Sequence, residues 1–333
     1  MSLPPQTKAA PHPLIEETRH PPASSPRAEP AAFAPTMTLP RGVLKTDVPS
    51  DGKFAHLRLA PPANLAPWVQ HFWMVEWDLR EASPILQQTL PHPNVYLVFE
   101  QRRDQPISHP LPPSAAEISG VTTGTFSKTL EGWSRVFGVK FKPGGFRAFL
   151  REAASTITDR VLPAQQIFGP SVLELAARVH GSPNAEAMAE YAAQYLASLH
   201  PASDPSASLS AHLVDLIFSD PAILTVDQLA AKAGMGTRSL QRLFKEYVGV
   251  PPKWVIRRFR LHELVERLHS GQPYHGAELA LDLGYADQAH LIRDFRNLVG
   301  YTPTGYRKSV IAKSGRYGER LASWKANRAT VLR

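Results

Sequence analysis

The chain has 333 residues, a hydrophobic share of 43% and a formal net charge of +8. That length accommodates two domains of about 150 residues each, and the basic excess points to polyanionic partners, nucleic acid ahead of anionic membrane surfaces. The absence of cysteine excludes disulfides, thiolate nucleophiles and cysteine-ligated metal centres.

No window approaches the roughly 18 uninterrupted apolar residues of a membrane span. The opening stretch MSLPPQTKAAPHPLIEETRHPP lacks the apolar segment of a secretory signal, which predicts a cytoplasmic protein with no membrane partner. Residues 1–50 are rich in Pro, Ala and Ser and nearly devoid of aromatics. Such a stretch buries too little surface to offset its ordering entropy, so it reads as a disordered extension.

Residues 52–199 read as a β-rich sensor or dimerisation module with trailing helices. Trp68 to Trp77 (WVQHFWMVEW) is an aromatic-rich run, and Asn94 to Phe99 is a short apolar one. Val136 to Phe141 places Phe137, Val139 and Phe141 on one face by period-two alternation. Pro143-Gly144-Gly145 stops that strand, and Phe146 to Arg151 reads as the start of a helix. Helices are predicted at about 171–180 and 184–199, where apolar residues recur at spacings of three and four. Residues 200–208 read as a linker. From 209 to 308 the pattern is of short helices, and 309–333 is a basic tail, either a helical extension or a frayed end. The expected fold class is α+β, a β-rich N-terminal module followed by an all-α domain.

The informative signal is an internal repeat at a separation of about 50 residues. Leu229, Ala230 and Gly234 match Leu279, Ala280 and Gly284. After one inserted residue, Leu240, Arg242, Phe244, Lys245, Val248, Gly249 and Pro252 align with Leu291, Arg293, Phe295, Arg296, Val299, Gly300 and Pro303. Each copy has the parts of a helix-turn-helix. Thr225 and Gln228 form a predicted capping box for a helix running to about Ala233, Gly234-Met235-Gly236 makes a tight turn, and a second helix covers about 237–248. On that helix Leu240, Leu243, Phe244, Tyr247 and Val248 share an apolar face. Arg238, Gln241, Arg242 and Lys245 share the opposite one. Arg can bond guanine bidentately, Gln can pair with adenine, and Lys can hold a phosphate, so this stripe suits a recognition helix in the major groove.

In the second copy a helix at 279–283, a turn at Gly284-Tyr285-Ala286 and a helix at 287–299 repeat the plan. The matching stripe is Ala289, Ile292, Arg293 and Arg296, with Asp287 and Asp294 nearby. Two readings stand for it: Gln288, His290 or Arg293 contact bases, or the unit holds the protein on the backbone. Between the copies a long helix is expected from Pro252 to just before Gly271. It would hold the two units about 34 Å apart, one turn of B-DNA. Its Arg257, Arg258 and Arg260 are expected outside, as phosphate contacts.

The stretches TVDQLAAKAGMGTRSLQRLFKEYVGVPPKWVIRRFRL and ELALDLGYADQAHLIRDFRNLVGYTPTGYR resemble the AraC-type family of transcription regulators. The resemblance implies two helix-turn-helix subdomains joined by one helix, both entering the major groove of double-stranded DNA. It implies DNA contacts from Thr237, Arg238, Gln241, Arg242 and Lys245 in the first unit, and from Gln288, His290, Arg293 and Arg296 in the second. Pro251 stands where the family often has Ser, and Val255 where it often has Tyr. The implied function is a promoter activator controlled through its N-terminal module. RNA polymerase, a small-molecule effector and a second copy in a homodimer are its further partners.

No enzyme signature accompanies this. His71, His92 and His109 fit no metal-ligand spacing, there is no Gly-rich phosphate loop and no nucleophile elbow, and no cofactor is expected. DNA-alkyl transfer, which can share a similar helix-turn-helix half, needs a cysteine that the chain lacks. Trp68, Phe72, Trp73 and Trp77 either line an apolar pocket or pack a core. The alternatives to a regulator are an enzyme localised by its DNA-binding half and a sequence-neutral DNA-coating protein.

Overall fold

The computed structural model describes residues 43–45, 54–102, 115–269 and 275–309. Among the described residues nine strands come first: β1 (Val43–Lys45), β2 (Phe54–Leu59), β3 (Val69–Leu79), β4 (Ile85–Thr89), β5 (Tyr96–Arg102), β6 (Glu117–Ser119), β7 (Phe126–Leu130), β8 (Gly132–Phe141) and β9 (Val161–Pro163). They form two antiparallel sheets, a large one ordered β2-β3-β8-β5-β6-β9 and a small one ordered β1-β4-β7.

The long pairing of β3 with β8 sets the large sheet's two faces. Phe72 opposes Val139 and Met74 opposes Phe137, and on the far side of β8 Leu97 and Phe99 of β5 continue the row. All six are buried. Period-two alternation sends the intervening residues to the other face, where His71 opposes Lys140, Trp73 opposes Gly138 and Trp77 opposes Ser134. The aromatic run is thus divided: Phe72 packs in the core, while Trp73 and Trp77 point the opposite way.

The apolar face is covered by helices α2 (Ser171–His180) and α3 (Ala185–Ser198), which follow the short α1 (Gln165–Phe168). Val172, Leu175, Ala176 and Val179 of α2 and Met188, Ala189, Ala192 and Leu196 of α3 are the buried residues that recur at helical spacing. Asn184 caps α3 by accepting from the Ala187 amide at 2.9 Å.

Three local expectations change. Phe146 to Arg151 is not a helix start; a single 3-10 turn, Gly145–Ala148, follows Gly144 at φ 80°. The linker ends early, because Asp204 accepts from the Ser206 amide at 2.8 Å and, with Pro205 in the first turn, starts α4 (Pro205–Ser219). Within the span read as disordered, Val43–Lys45 is a strand paired with β4, and Leu44 is buried. The rest of 1–50 lies outside the described residues, as does the tail beyond 309.

The remaining helices are α5 (Val226–Lys232), α6 (Thr237–Leu243), α7 (Pro252–His269), α8 (Gly276–Asp282) and α9 (Gln288–Val299), with further helical turns at 303–309. The apolar core of the large sheet runs on without a break through α4 into Leu229, Leu240, Phe244 and the first half of α7. The second half of α7 and helices α8 and α9 have a separate core, which Leu44 and Leu90 join. The fold is α+β, with the β-rich part first.

Candidate nucleic-acid interface

The repeat has a common backbone. Helix α5 ends as Gly234 turns left-handed at φ 60°, and α8 ends as Gly284 does so at φ 77°. In both, the chain folds back in a Schellman motif: Met235 N–H reaches Ala230 C=O at 3.0 Å, and Tyr285 N–H reaches Ala280 C=O at 2.8 Å. Gly249 and Gly300, which close the two second helices, also share left-handed φ values of 91° and 83°. An L side chain at such φ is strained, which explains why these positions hold glycine in both copies. Leu229, Ala230, Leu240, Phe244 and Val248 are buried, and so are their counterparts Leu279, Ala280, Leu291, Phe295 and Val299.

The first unit starts with the predicted capping box: Thr225 Oγ1 accepts from the Gln228 amide at 3.2 Å, and Gln228 Oε1 accepts from the Thr225 amide at 2.9 Å. The second helix is α-helical through Leu243 and then widens into a π turn at Phe244–Val248. Tyr247 on that turn donates to Asp204 at the start of α4, 2.7 Å away. That bond raises the Tyr247 hydroxyl above its ordinary pKa; for Asp204, the bonds from Tyr247, Ser206 and Ala207 outweigh burial and lower the carboxyl.

Arg238, Gln241, Arg242 and Lys245 are all exposed, as are Gln288, His290, Arg293 and Arg296. None of the five cations Arg238, Arg242, Lys245, Arg293 and Arg296 makes an ion pair among the described residues. Thr237 is half-buried and its hydroxyl donates to Asp227 at 3.1 Å, which fixes the start of α6. His290 sits edge-on to Tyr285, with ring centroids 5.2 Å apart.

The acids near the second stripe have structural posts. Asp287 caps α9 by accepting from the His290 amide at 2.6 Å. Asp294 accepts from the Tyr285 hydroxyl at 2.7 Å and pairs with Arg257. Burial and the bond to Asp294 drive the Tyr285 hydroxyl well above its ordinary pKa. Neither carboxylate opposes Arg293 or Arg296.

The connecting helix departs from expectation. Arg257 is exposed, but its guanidinium is held by Asp294. Arg258 and Arg260 lie inside, each only 3% exposed. Arg258 donates to the Thr123 and Gly124 carbonyls of the β-rich module and lies 4.5 Å from the Trp254 ring; burial lowers its guanidinium to about 10. Arg260 donates to the Ile217 carbonyl at 2.8 Å and to Glu263 at 2.7 Å. These two arginines join elements together. Their burial was hidden in the sequence because both faces of α7 meet protein, a tertiary fact that periodicity does not carry.

Of the three histidines, His109 lies outside the described residues. His92 stacks on His262 of α7 with ring centroids 4.4 Å apart, and His71 lies in the large sheet beside Lys140. Among the described residues no three His, Asp or Glu gather where a metal ion could bind, and no helix is long and apolar enough to cross a membrane.

Two matched pairs of left-handed glycines, two matched sets of five buried residues and two exposed cationic faces define a doubled helix-turn-helix domain. Residues 229–309 match the family model described as a helix-turn-helix domain. Residues 57–163 match a model described as a domain of unknown function, DUF6597. An uncharacterized HTH-type transcriptional regulator of Haemophilus influenzae is 33% identical over 85 residues, 26% of this chain and 28% of that protein. The chain therefore spans little more than a quarter of that relative's length. Among solved structures, a transcriptional regulator with an AraC-type DNA-binding domain from Chromobacterium violaceum is 26% identical, covering 29% of this chain and 88% of that one with a TM-score of 0.27. ToxT of Vibrio cholerae is 9% identical, covering 72% of this chain and 98% of that one with a TM-score of 0.36.

Proposed function

We propose that this chain is a sequence-specific transcription regulator that binds double-stranded DNA in the major groove and acts in the cytoplasm. The observation that carries the reading is the distribution of cations. The arginines of α7 that reach protein partners are used up by them, whereas Arg238, Arg242, Lys245, Arg293 and Arg296 stand exposed and unpaired on the two repeat-related helices. Unpaired cations on a recognition helix are what phosphate and base edges require.

On this reading Arg238, Gln241, Arg242, Gln288, His290 and Arg293 contact bases, Lys245 and Arg296 contact phosphates, and Thr237 orients the first helix. Arg257 contacts phosphate only by exchanging Asp294 for it. The β-rich module is the controlling half. An activator role, contact with RNA polymerase and pairing into a homodimer belong to the same proposal and rest on the family resemblance. Selection of binding sites from random DNA tests it. The expected result is one recovered motif bound at least about 1,000-fold more tightly than random DNA, at the low end of the ordinary specificity ratio. Equal affinity for all sequences would leave a DNA-coating protein instead.

A further inference from the structure

The face of the large sheet opposite its core is graded along the strands. At one end lie Phe54, Val75, Trp77 and Val136, against which Ile85 and Leu130 of the small sheet pack. There Lys128 of β7 reaches over the Trp77 ring and pairs with Glu100 of β5 at 2.6 Å. Toward the other end the face turns polar and half-buried. Arg58 of β2 is in register with Trp73 of β3, and the neighbouring row places His71, Lys140 and Tyr96 side by side on β3, β8 and β5.

Gly138 makes room in the middle of this face. A methyl group there would lie 2.3 Å from the Trp73 ring, so the indole lies flat across the sheet only because β8 has no side chain at that point.

Arg58 and Lys140 differ from the paired cations of the module. Arg135 pairs with Glu76 at 2.6 Å and Arg147 with Glu246 at 2.8 Å. Arg58 and Lys140 make no ion pair or hydrogen bond among the described residues, and the buried Arg58 Nε and Trp73 Nε1 have no hydrogen-bond partner. On this face of the sheet Glu117 lies in the row of Arg58 but four strands along, on β6, and Glu100, one row further, is held by Lys128 and Arg102.

Burial and Arg58 lower Lys140 to about 7. Burial, with Lys140, Arg58 and His56, lowers His71 to about 3, and burial with Arg58 lowers His56 to about 4. Burial raises the Tyr96 hydroxyl despite the opposing pull of Arg58. Each of these groups feels Arg58 and none feels a carboxylate. Two half-buried cations without a counter-charge destabilise a fold, and such strain tends to collect at binding sites.

We propose that this row binds a small molecule carrying a carboxylate and a flat apolar body. The carboxylate lies between Arg58 and Lys140, and the body lies along Trp73 toward the Trp77 end. A carboxylate has two oxygens to take the paired donors of a guanidinium and a third bond from the ammonium. Trp73 and Tyr96 offer ring faces and polar edges to the body. Binding would also draw Lys140 fully into its protonated form. The site sits in the half that the proposed function makes regulatory, so its use in control rests on that reading; its occupancy does not.

The test is thermal unfolding and titration calorimetry of the full chain, without DNA, against indole-3-acetate and 2-naphthoate, each paired with its neutral amide. At least one acid should raise the unfolding midpoint with increasing concentration while its amide does not. Arg58→Met and Lys140→Met should each weaken that acid at least about tenfold, the scale of one charge-assisted hydrogen bond. Lys140→Met should also raise the midpoint of the ligand-free protein, which a purely structural lysine would lower. Acid and amide acting alike, acid affinity unchanged in both variants, or no acid binding at millimolar concentration would each overturn the proposal. A chain that binds the acid but no preferred DNA sequence keeps this site and loses the regulator reading; one that selects a DNA sequence but binds no acid keeps the regulator reading and loses this site.

Discussion

Arg258 on the connecting helix donates to the backbone carbonyl of Gly124, 3.3 Å away, and so reaches from the helix-turn-helix domain into the turn before β7. Thr123 supplies a second carbonyl to the same guanidinium. Nearby, Thr125 donates to the Leu298 carbonyl of α9, and Thr158 donates to the Gly249 carbonyl at 2.7 Å. The β-rich module therefore holds both helix-turn-helix units by side chains that grip backbone.

Arg258→Ala is expected to lower stability by about 1.5–3 kcal/mol, the value of hydrogen bonds to a charged group. It should leave the salt dependence of DNA binding unchanged. Denaturant unfolding checks the first part and affinity measured across salt concentrations the second. A slope reduced by about one unit would return Arg258 to the phosphate contacts.

Arg242→Ala should weaken binding to a selected site by about 1–3 kcal/mol and relax the preference at one base pair. Lys245→Ala should weaken all sequences alike and flatten the salt slope by about one unit. Repeating the site selection with each variant separates the two roles.

Two matched glycines should respond unequally. Gly249 and Gly300 share left-handed φ, but a Cβ at Gly249 would lie 3.0 Å from the Ala154 carbonyl oxygen, while nothing lies within 4 Å of one at Gly300. Gly300→Ala should cost about 1–2 kcal/mol from backbone strain alone, and Gly249→Ala more. Equal losses in denaturant unfolding would contradict the close approach to Ala154.

Acid should destabilise the β-rich module. His56 and His71 ordinarily titrate at 6.5, but folding lowers them to about 4 and about 3. Below pH 6.5 the unfolded chain takes up protons that the folded chain refuses, so stability falls as pH drops from 6.5 toward 3. Lys140, lowered from 10.5 to about 7, adds a rise in stability between pH 7 and 10.5. The groups facing this row are Arg58, His56, His71, Tyr96 and Lys140. Unfolding midpoints measured from about pH 4 to about pH 9 should show both limbs, and replacing His56 and His71 by Gln should flatten the acid one.

The helix-turn-helix half was legible in the sequence because its rules are local. Capping at Thr225, glycine at the left-handed turns and apolar spacing on α6 each act within a few residues, and the repeat states them twice. The strand Gly132–Phe141 was visible by the alternation of Val136 to Phe141, and Val69–Leu79 as an aromatic-rich run. Three things were not. Arg258 and Arg260 look like surface cations until the second layer of packing is known. Leu44 belongs to a stretch whose composition reads as disorder, yet Val43–Lys45 finds a partner strand in β4. Arg58, His71, Tyr96 and Lys140 lie on four separate strands, so only the register brings them to adjacent rows of one face.

A regulator of this design needs its two recognition helices to work together on one duplex. The most direct test is the affinity of the wild-type chain, Arg242→Ala, Arg293→Ala and the double variant for a selected DNA site at fixed salt. If both helices read it, each single variant loses about 1–3 kcal/mol, the losses add, and the site's preference relaxes in two places about one helical turn apart. If Arg293→Ala binds like the wild type with its preference intact, the second helix does not read bases; if both variants do, the regulator reading fails.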